Sequence, residues 1–123
     1  MTNKVYKIGD LAREFNVTLR TLRFYEDRGL ITPGRSGTTR LYSNDDRERL
    51  RIALFCKRIG LSLDEIREVL DLQESDGIED APEKMRRIYS SQLLALEKQQ
   101  TETTQTIADL QSRIAEMDGG LKH

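Results

Sequence analysis

The chain of 123 residues has one cysteine, one histidine, two prolines and no tryptophan, and aromatics make up 6% of it. A single cysteine, Cys56, excludes an internal disulfide and suits a reducing cytoplasm. One thiol and one imidazole, His123, are too few for a metal site, whose thiolates and imidazoles come in pairs or threes. They are also too few for a nucleophile and base pair, and no Gly-rich phosphate loop is present, so catalysis is not expected. The sequence has no apolar run long enough to span a membrane and no charged-then-apolar leader. Neither a membrane partner nor a cofactor is expected, and the expected location is cytoplasmic.

What the sequence does have is charge. Charged residues make up 33% of it and hydrophobic residues only 37%, a balance that suits long exposed helices better than one compact globule. The net charge of −1 conceals a split. Residues 1–61 carry 13 Lys+Arg against 7 Asp+Glu, and residues 62–123 carry 7 against 14. A first half at +6 facing a second half at −7 points to a polyanionic partner for the first half, such as nucleic acid.

Hydrophobic spacing then sets out the elements. Residues 8–15, IGDLAREF, place Ile8, Leu11, Ala12 and Phe15 on one helical face. A break at Asn16-Val17 and an N-cap at Thr18 introduce a second helix, residues 18–28, closed by Gly29. Leu19 and Leu22 are expected to face the core. Two short helices joined by a tight turn form a helix-turn-helix pattern. Residues 30–42, LITPGRSGTTRLY, read as a small β-hairpin, a wing, with its turn near Arg35 to Gly37. Ser43 with Asp46, and Ser62 with Glu65, are capping boxes that open a third and a fourth helix. Leu50, Ala53, Leu54 and either Cys56 or Phe55 should pack inward from the third. Ile66, Val69, Leu70 and Leu63 should do so from the fourth.

The acidic, Gly- and Pro-bearing segment 73–82 reads as a hinge, and the remainder to residue 121 as one long helix. Its positions Tyr89, Leu93, Leu96, Ile107, Leu110, Ile114, Met117 and Leu121 step by alternating fours and threes once Gln100 and Thr103 fill the gaps. That is a heptad seam. A second copy of the chain is the simplest cover for it, so Leu93, Leu96, Ile107, Leu110, Ile114 and Met117 are the expected dimer interface. The expected fold is therefore mainly α. A winged helix-turn-helix DNA-binding head (residues 1–72) is followed by a hinge (73–82) and a coiled-coil dimerisation helix (83–121).

Candidate contacts with DNA lie on the second helix and the wing. Arg20 and Arg23, three residues apart, share a face, and the guanidinium fork pairs bidentately with guanine or phosphate. Thr18, beside unpaired N–H groups at the helix start, suits a phosphate. Tyr25 offers a ring and a hydroxyl to the DNA backbone, or else fills the core. Arg35 and Arg40 in the wing are placed to position the protein on phosphates. Lys4, Lys7, Arg47, Arg49 and Arg51 are weaker candidates, most of which are expected to be solvated.

The runs TLRTLRFYEDRGLITP, GTTRLYS and IGLSLDEIREVL, in that order, resemble the MerR family of bacterial transcriptional regulators over residues 5–72. The trailing helix agrees to about residue 121. The resemblance implies that Thr18, Arg20, Arg23 and Tyr25 contact DNA from the second helix, and that Arg35 and Arg40 touch the backbone from the wing. It implies an antiparallel homodimer of long helices on a palindromic promoter operator. Such a dimer bends and undertwists double-stranded DNA so that the promoter elements realign for RNA polymerase, and an effector biases the switch. Two departures stand out. Thr39 replaces the aromatic that many members have before the wing arginine, and the wing is about two residues shorter than in metal-sensing members. The chain stops soon after its last seam position, so a short member without a separate effector domain is expected, with any small-molecule effector unidentified. The stretches FYEDRGL, RLYS and KRIGLSLDEI are similar in style to members that regulate branched-chain amino acid or fatty acid catabolism. The competing account is a coiled-coil protein-interaction adaptor with a basic head.

Overall fold

The computed structural model describes residues 4–37, 39–75 and 79–120, with backbone only at Arg35 and Ser36. The elements follow as α1 (Ile8–Phe15), α2 (Leu19–Asp27), β1 (Gly34–Ser36), β2 (Thr39–Leu41), α3 (Asn44–Arg58), α4 (Leu63–Gln73) and α5 (Ala81–Gly120). The chain divides into two compact units, residues 1–82 and 83–123.

Three helices of the head, α2, α3 and α4, start where a hydroxyl side chain supplies a cap. The Thr18 hydroxyl accepts from Thr21 N at 3.1 Å, satisfying one of the N–H groups that a helix start leaves over. Ser43 Oγ accepts from Asp46 N at 3.1 Å while Asp46 Oδ2 accepts from Ser43 N at 3.0 Å. Ser62 and Glu65 repeat the arrangement at 3.2 and 2.9 Å. Asp46 is 8% exposed, and its other oxygen accepts from Thr32 N at 3.4 Å, so one carboxylate ties the loop before the wing to the start of α3.

Two helices end alike. Gly29 (φ 74°) and Gly60 (φ 91°) take left-handed backbone after α2 and α3. The following N–H groups, Leu30 to Tyr25 O at 2.9 Å and Leu61 to Cys56 O at 3.0 Å, close the last turn. Leu30 and Leu61 are thereby delivered into the core at 1% and 3% exposure.

The core of the head gathers Leu11, Leu22, Tyr25, Ile31, Tyr42, Leu50, Ala53, Cys56, Ile66, Val69 and Leu70, all buried. The choice between Cys56 and Phe55 falls to Cys56; Phe55 is 43% exposed, and Leu54 and Leu63 are half-buried. Leu19 departs from expectation at 41% exposed. A step of three residues falls about 60° short of a full turn. With Leu22 and Tyr25 centred on the core, Leu19 is therefore rotated out toward solvent.

The wing is antiparallel, with Gly34 opposite Leu41, Arg35 opposite Arg40 and Ser36 opposite Thr39. That register puts Arg35 and Ser36 in the strand and leaves the turn at Gly37, at φ 63°. The expectation for Thr38 lies outside the described residues. An unforeseen bridge joins the wing base to the chain start: Tyr6 and Tyr42 exchange N–H···O bonds of 2.8 Å each.

α5 continues to Gly120, and Pro82 sits in its first turn, where a missing N–H costs no helical bond. The seam residues Leu93, Leu96, Ile107, Leu110, Ile114 and Met117 are 40–64% exposed in the single chain. Between Leu96 and Ile107 no aliphatic residue occurs, and Thr101, Thr104 and Thr106 hydroxyls donate to the carbonyl four residues back at 2.9–3.1 Å. The seam expectation for Leu121 lies outside the described residues. Among the described residues no helix is long and apolar enough to cross a membrane.

Candidate DNA-binding surface

One face of α2 is packed and the other is cationic. Leu22 and Tyr25 are buried, whereas Thr18, Arg20, Arg23 and Phe24 are exposed. Among the described residues Arg20 and Arg23 form no ion pair, so both guanidinium groups are available to an anion. Other head arginines are committed. Arg47 grips Glu14 with Nε at 2.9 and 2.8 Å from the two carboxylate oxygens, and its guanidinium holds that carboxyl below the usual range. Arg49 donates to Leu30 O at 2.8 Å and pairs with Glu74. Arg67 donates to Arg28 O. Arg51 pairs with Glu48 at 2.8 Å. Of the weaker candidates, Arg47 and Arg49 fasten elements of the head together.

The wing is set against α2 through Glu26. Tyr42 Oη donates to Glu26 Oε2 at 3.1 Å, and Arg40 Nε lies 3.5 Å from Glu26 Oε1. Burial first, then the neighbouring Glu26 charge, pushes the Tyr42 phenol up to about 12. Arg40 therefore faces a carboxylate of its own chain while keeping a third of its side chain exposed. A cleft of about 670 Å³ runs beside it, lined by Lys7, Gly9 and Asp10 at the start of α1 together with Arg13, Arg23, Thr39 and Arg40. Four cations and one carboxylate make it a basic cleft, and Arg13 Nη2 is 2.7 Å from Asp10 Oδ1 on its rim. Lys7 is one of the weaker candidates, whereas Arg13 is a member that spacing alone does not suggest; the cleft brings both to the same place as Arg40.

The remaining candidate residues sort as follows. Thr18 uses its oxygen as the α2 cap and lies 3.0 Å from Thr21 Oγ1. Tyr25 is a core residue, 4% exposed, its phenol pushed upward by burial and then by nearby Cys56. Its ring is turned inward with Leu22, the core-filling place that the sequence offers as the alternative to DNA contact. Phe24, its neighbour, is the exposed aromatic instead, at 43%, with Arg28 over its ring at 5.2 Å. Of Arg35 the backbone alone is described, opposite Arg40. Among the described residues no group of three or more His, Cys, Asp or Glu is placed to hold a metal ion.

A capped helix with an unpaired arginine face, a helix before it and a hairpin beside it define a winged helix-turn-helix of the DNA-binding class. Residues 6–73 match the family model for the MerR HTH family regulatory protein, and residues 47–118 match that for MerR, DNA binding. The chain belongs to the MerR family of helix-turn-helix regulatory proteins, which is a family of regulators and not of enzymes.

The HTH-type transcriptional activator mta of Bacillus subtilis is 32% identical over 117 residues, 94% of this chain and 42% of that protein. A ZntR homolog of Haemophilus influenzae is 38% identical over 71 residues, 56% of this chain and 53% of that protein. The chain thus spans about half the length of these curated relatives. Among solved structures, MtaN, the N-terminus of the Bacillus subtilis multidrug transporter activator, is 30% identical with a TM-score of 0.60, covering 83% of this chain and 93% of that one. HiNmlR, a MerR family regulator lacking the sensor domain and bound to promoter DNA, shares the fold. It has a TM-score of 0.67 and 23% identity, over 85% of this chain and 79% of that one.

Proposed function

We propose that the protein is a sequence-specific DNA-binding transcriptional regulator, located in the cytoplasm and acting as a homodimer on a palindromic promoter operator. The observation that carries this reading is the exposed, unpaired Arg20–Arg23 face of α2, whose other face is locked into the core. In this reading α2 enters the major groove, where Arg20 and Arg23 meet base edges or phosphates. The cleft of Lys7, Arg13 and Arg40 takes the backbone beside it, and Arg35 extends the wing along the same strand. Two copies of α5 pair antiparallel through the Leu93 to Met117 seam. The dimer bends and undertwists the promoter so that RNA polymerase can engage it, and protein–phosphate contacts offset the deformation. Any effector acts by favouring one of two dimer conformations.

Fluorescence anisotropy on the chain's own upstream DNA, across a salt series, tests the reading. Tight binding at two protomers per site, weakening steeply with salt, is expected. Arg20→Ala or Arg23→Ala should lower specific affinity by roughly tenfold or more and leave the dimer intact on sizing. Equal binding of wild type and both variants would refute the assignment. Absence of any DNA binding would favour a protein-binding head.

A further inference from the structure

We infer that Leu19 is a sequence-reading residue, making apolar contact with a thymine methyl group in the major groove beside the groups taken by Arg20 and Arg23. The inference rests on the proposed entry of α2 into that groove. Leu19 is the first residue of α2, immediately after the Thr18 cap, and it is 41% exposed. The N-terminal turn of a recognition helix is the part that meets base edges. One full turn before Arg23, Leu19 shares that arginine's side of the helix, with Arg20 about 100° round from it.

Of the other exposed large hydrophobics of the head, Val5 lies before α1, and the aromatics Phe24 and Phe55 each have a cation partner within the chain. Phe24 has Arg28 over its ring at 5.2 Å and the edge of Tyr25 at 5.8 Å. Phe55 has Arg58 at 5.4 Å. Leu19, 41% exposed, is an aliphatic side chain at the first position of α2, on the arc of the helix that carries Arg23. In the major groove a base pair presents hydrogen-bonding groups and one apolar group, the thymine C5 methyl. An aliphatic side chain one turn before Arg23 therefore matches a thymine next to the pair that this arginine reads.

The test starts by enriching duplexes from a random DNA pool with the full chain and with Leu19→Ala. The variant should enrich the same half-site with its thymine preference lost at one position. Deoxyuridine then replaces thymidine at that position in the wild-type operator, removing only the methyl. Wild-type affinity should fall roughly threefold to tenfold, Leu19→Ala should be indifferent, and Leu19→Met should keep most of the sensitivity. Slopes of log affinity against log salt should coincide for all three proteins, because no phosphate contact changes. Identical enriched motifs, or deoxyuridine weakening wild type and Leu19→Ala equally, would overturn the inference while the DNA-binding reading stands. A wild type that enriches no duplex overturns both.

Discussion

Glu26 holds the wing to the recognition helix, since the Tyr42 hydroxyl and the Arg40 guanidinium both converge on its carboxylate. Tyr42 is fully buried, and its backbone also bridges Tyr6, so one residue fixes the hairpin base to two neighbours. Because burial and then Glu26 raise its phenol to about 12, the folded protein holds that proton more tightly than the unfolded chain, whose phenol titrates near ~10. The associated stability is complete below about pH 10 and is lost as pH rises toward 12. Tyr42→Phe should therefore lose about 1 kcal/mol at neutral pH, the worth of the hydrogen bond. Its stability should also fall off less steeply with alkali than that of wild type. Some alkaline loss should persist, because burial raises Tyr25 as well. Urea melts at pH 8 and above pH 10 measure both effects, and parallel alkaline limbs in the two proteins would contradict the assignment.

Among the elements, the helices were the most legible in the sequence because their punctuation is local. Thr18, Ser43 and Ser62 each lie three residues before the N–H they cap, and Gly29 and Gly60 stand directly after the helices they end. Gly29→Ala tests that punctuation. A Cβ there would meet nothing within 4 Å, so the left-handed φ of 74° alone should make the change cost about 1–2 kcal/mol, visible as a lower melting temperature. An unchanged melt would mean that the α2 terminus relaxes into other backbone. The rest was illegible because it is long-range. Tyr6 meets Tyr42, Glu14 meets Arg47 and Arg28 O meets Arg67 across sequence gaps of more than thirty residues. Spacing could give Arg20 and Arg23 one face, but whether Tyr25 or Phe24 filled the core depended on how α2 is rotated against α3 and α4. The same rotation exposed Leu19, and the hairpin register, not its composition, moved the turn past Arg35.

At the scale of the whole molecule, the seam of α5 constrains how two copies would meet. Residues 81–100 carry Lys84, Arg86, Arg87 and Lys98 against Glu83 and Glu97, whereas residues 101–120 carry Arg113 against Glu102, Asp109, Glu116 and Asp118. An antiparallel pair sets the +2 half against the −3 half, while a parallel pair sets like against like. The apolar pattern is symmetric about the step from Thr101 to Glu102, with Tyr89, Leu93 and Leu96 on one side and Ile107, Leu110 and Ile114 on the other. A two-fold axis there puts Leu96 against Ile107 of the partner subunit and Leu93 against Leu110 of the partner subunit. Gln100 then meets Thr103 of the partner subunit, a polar layer at the centre that penalises slipped registers. With Cys56 replaced by Ala to leave no native thiol, Leu96→Cys combined with Ile107→Cys should cross-link nearly all of the protein into covalent dimers under mild oxidation. Leu96→Cys alone should stay uncrosslinked, because its own copy would lie roughly 16 Å away along the pair, beyond disulfide reach. Self-linking by the single variant would mean a parallel pair, and failure of the double variant to link would mean that the axis lies elsewhere on α5.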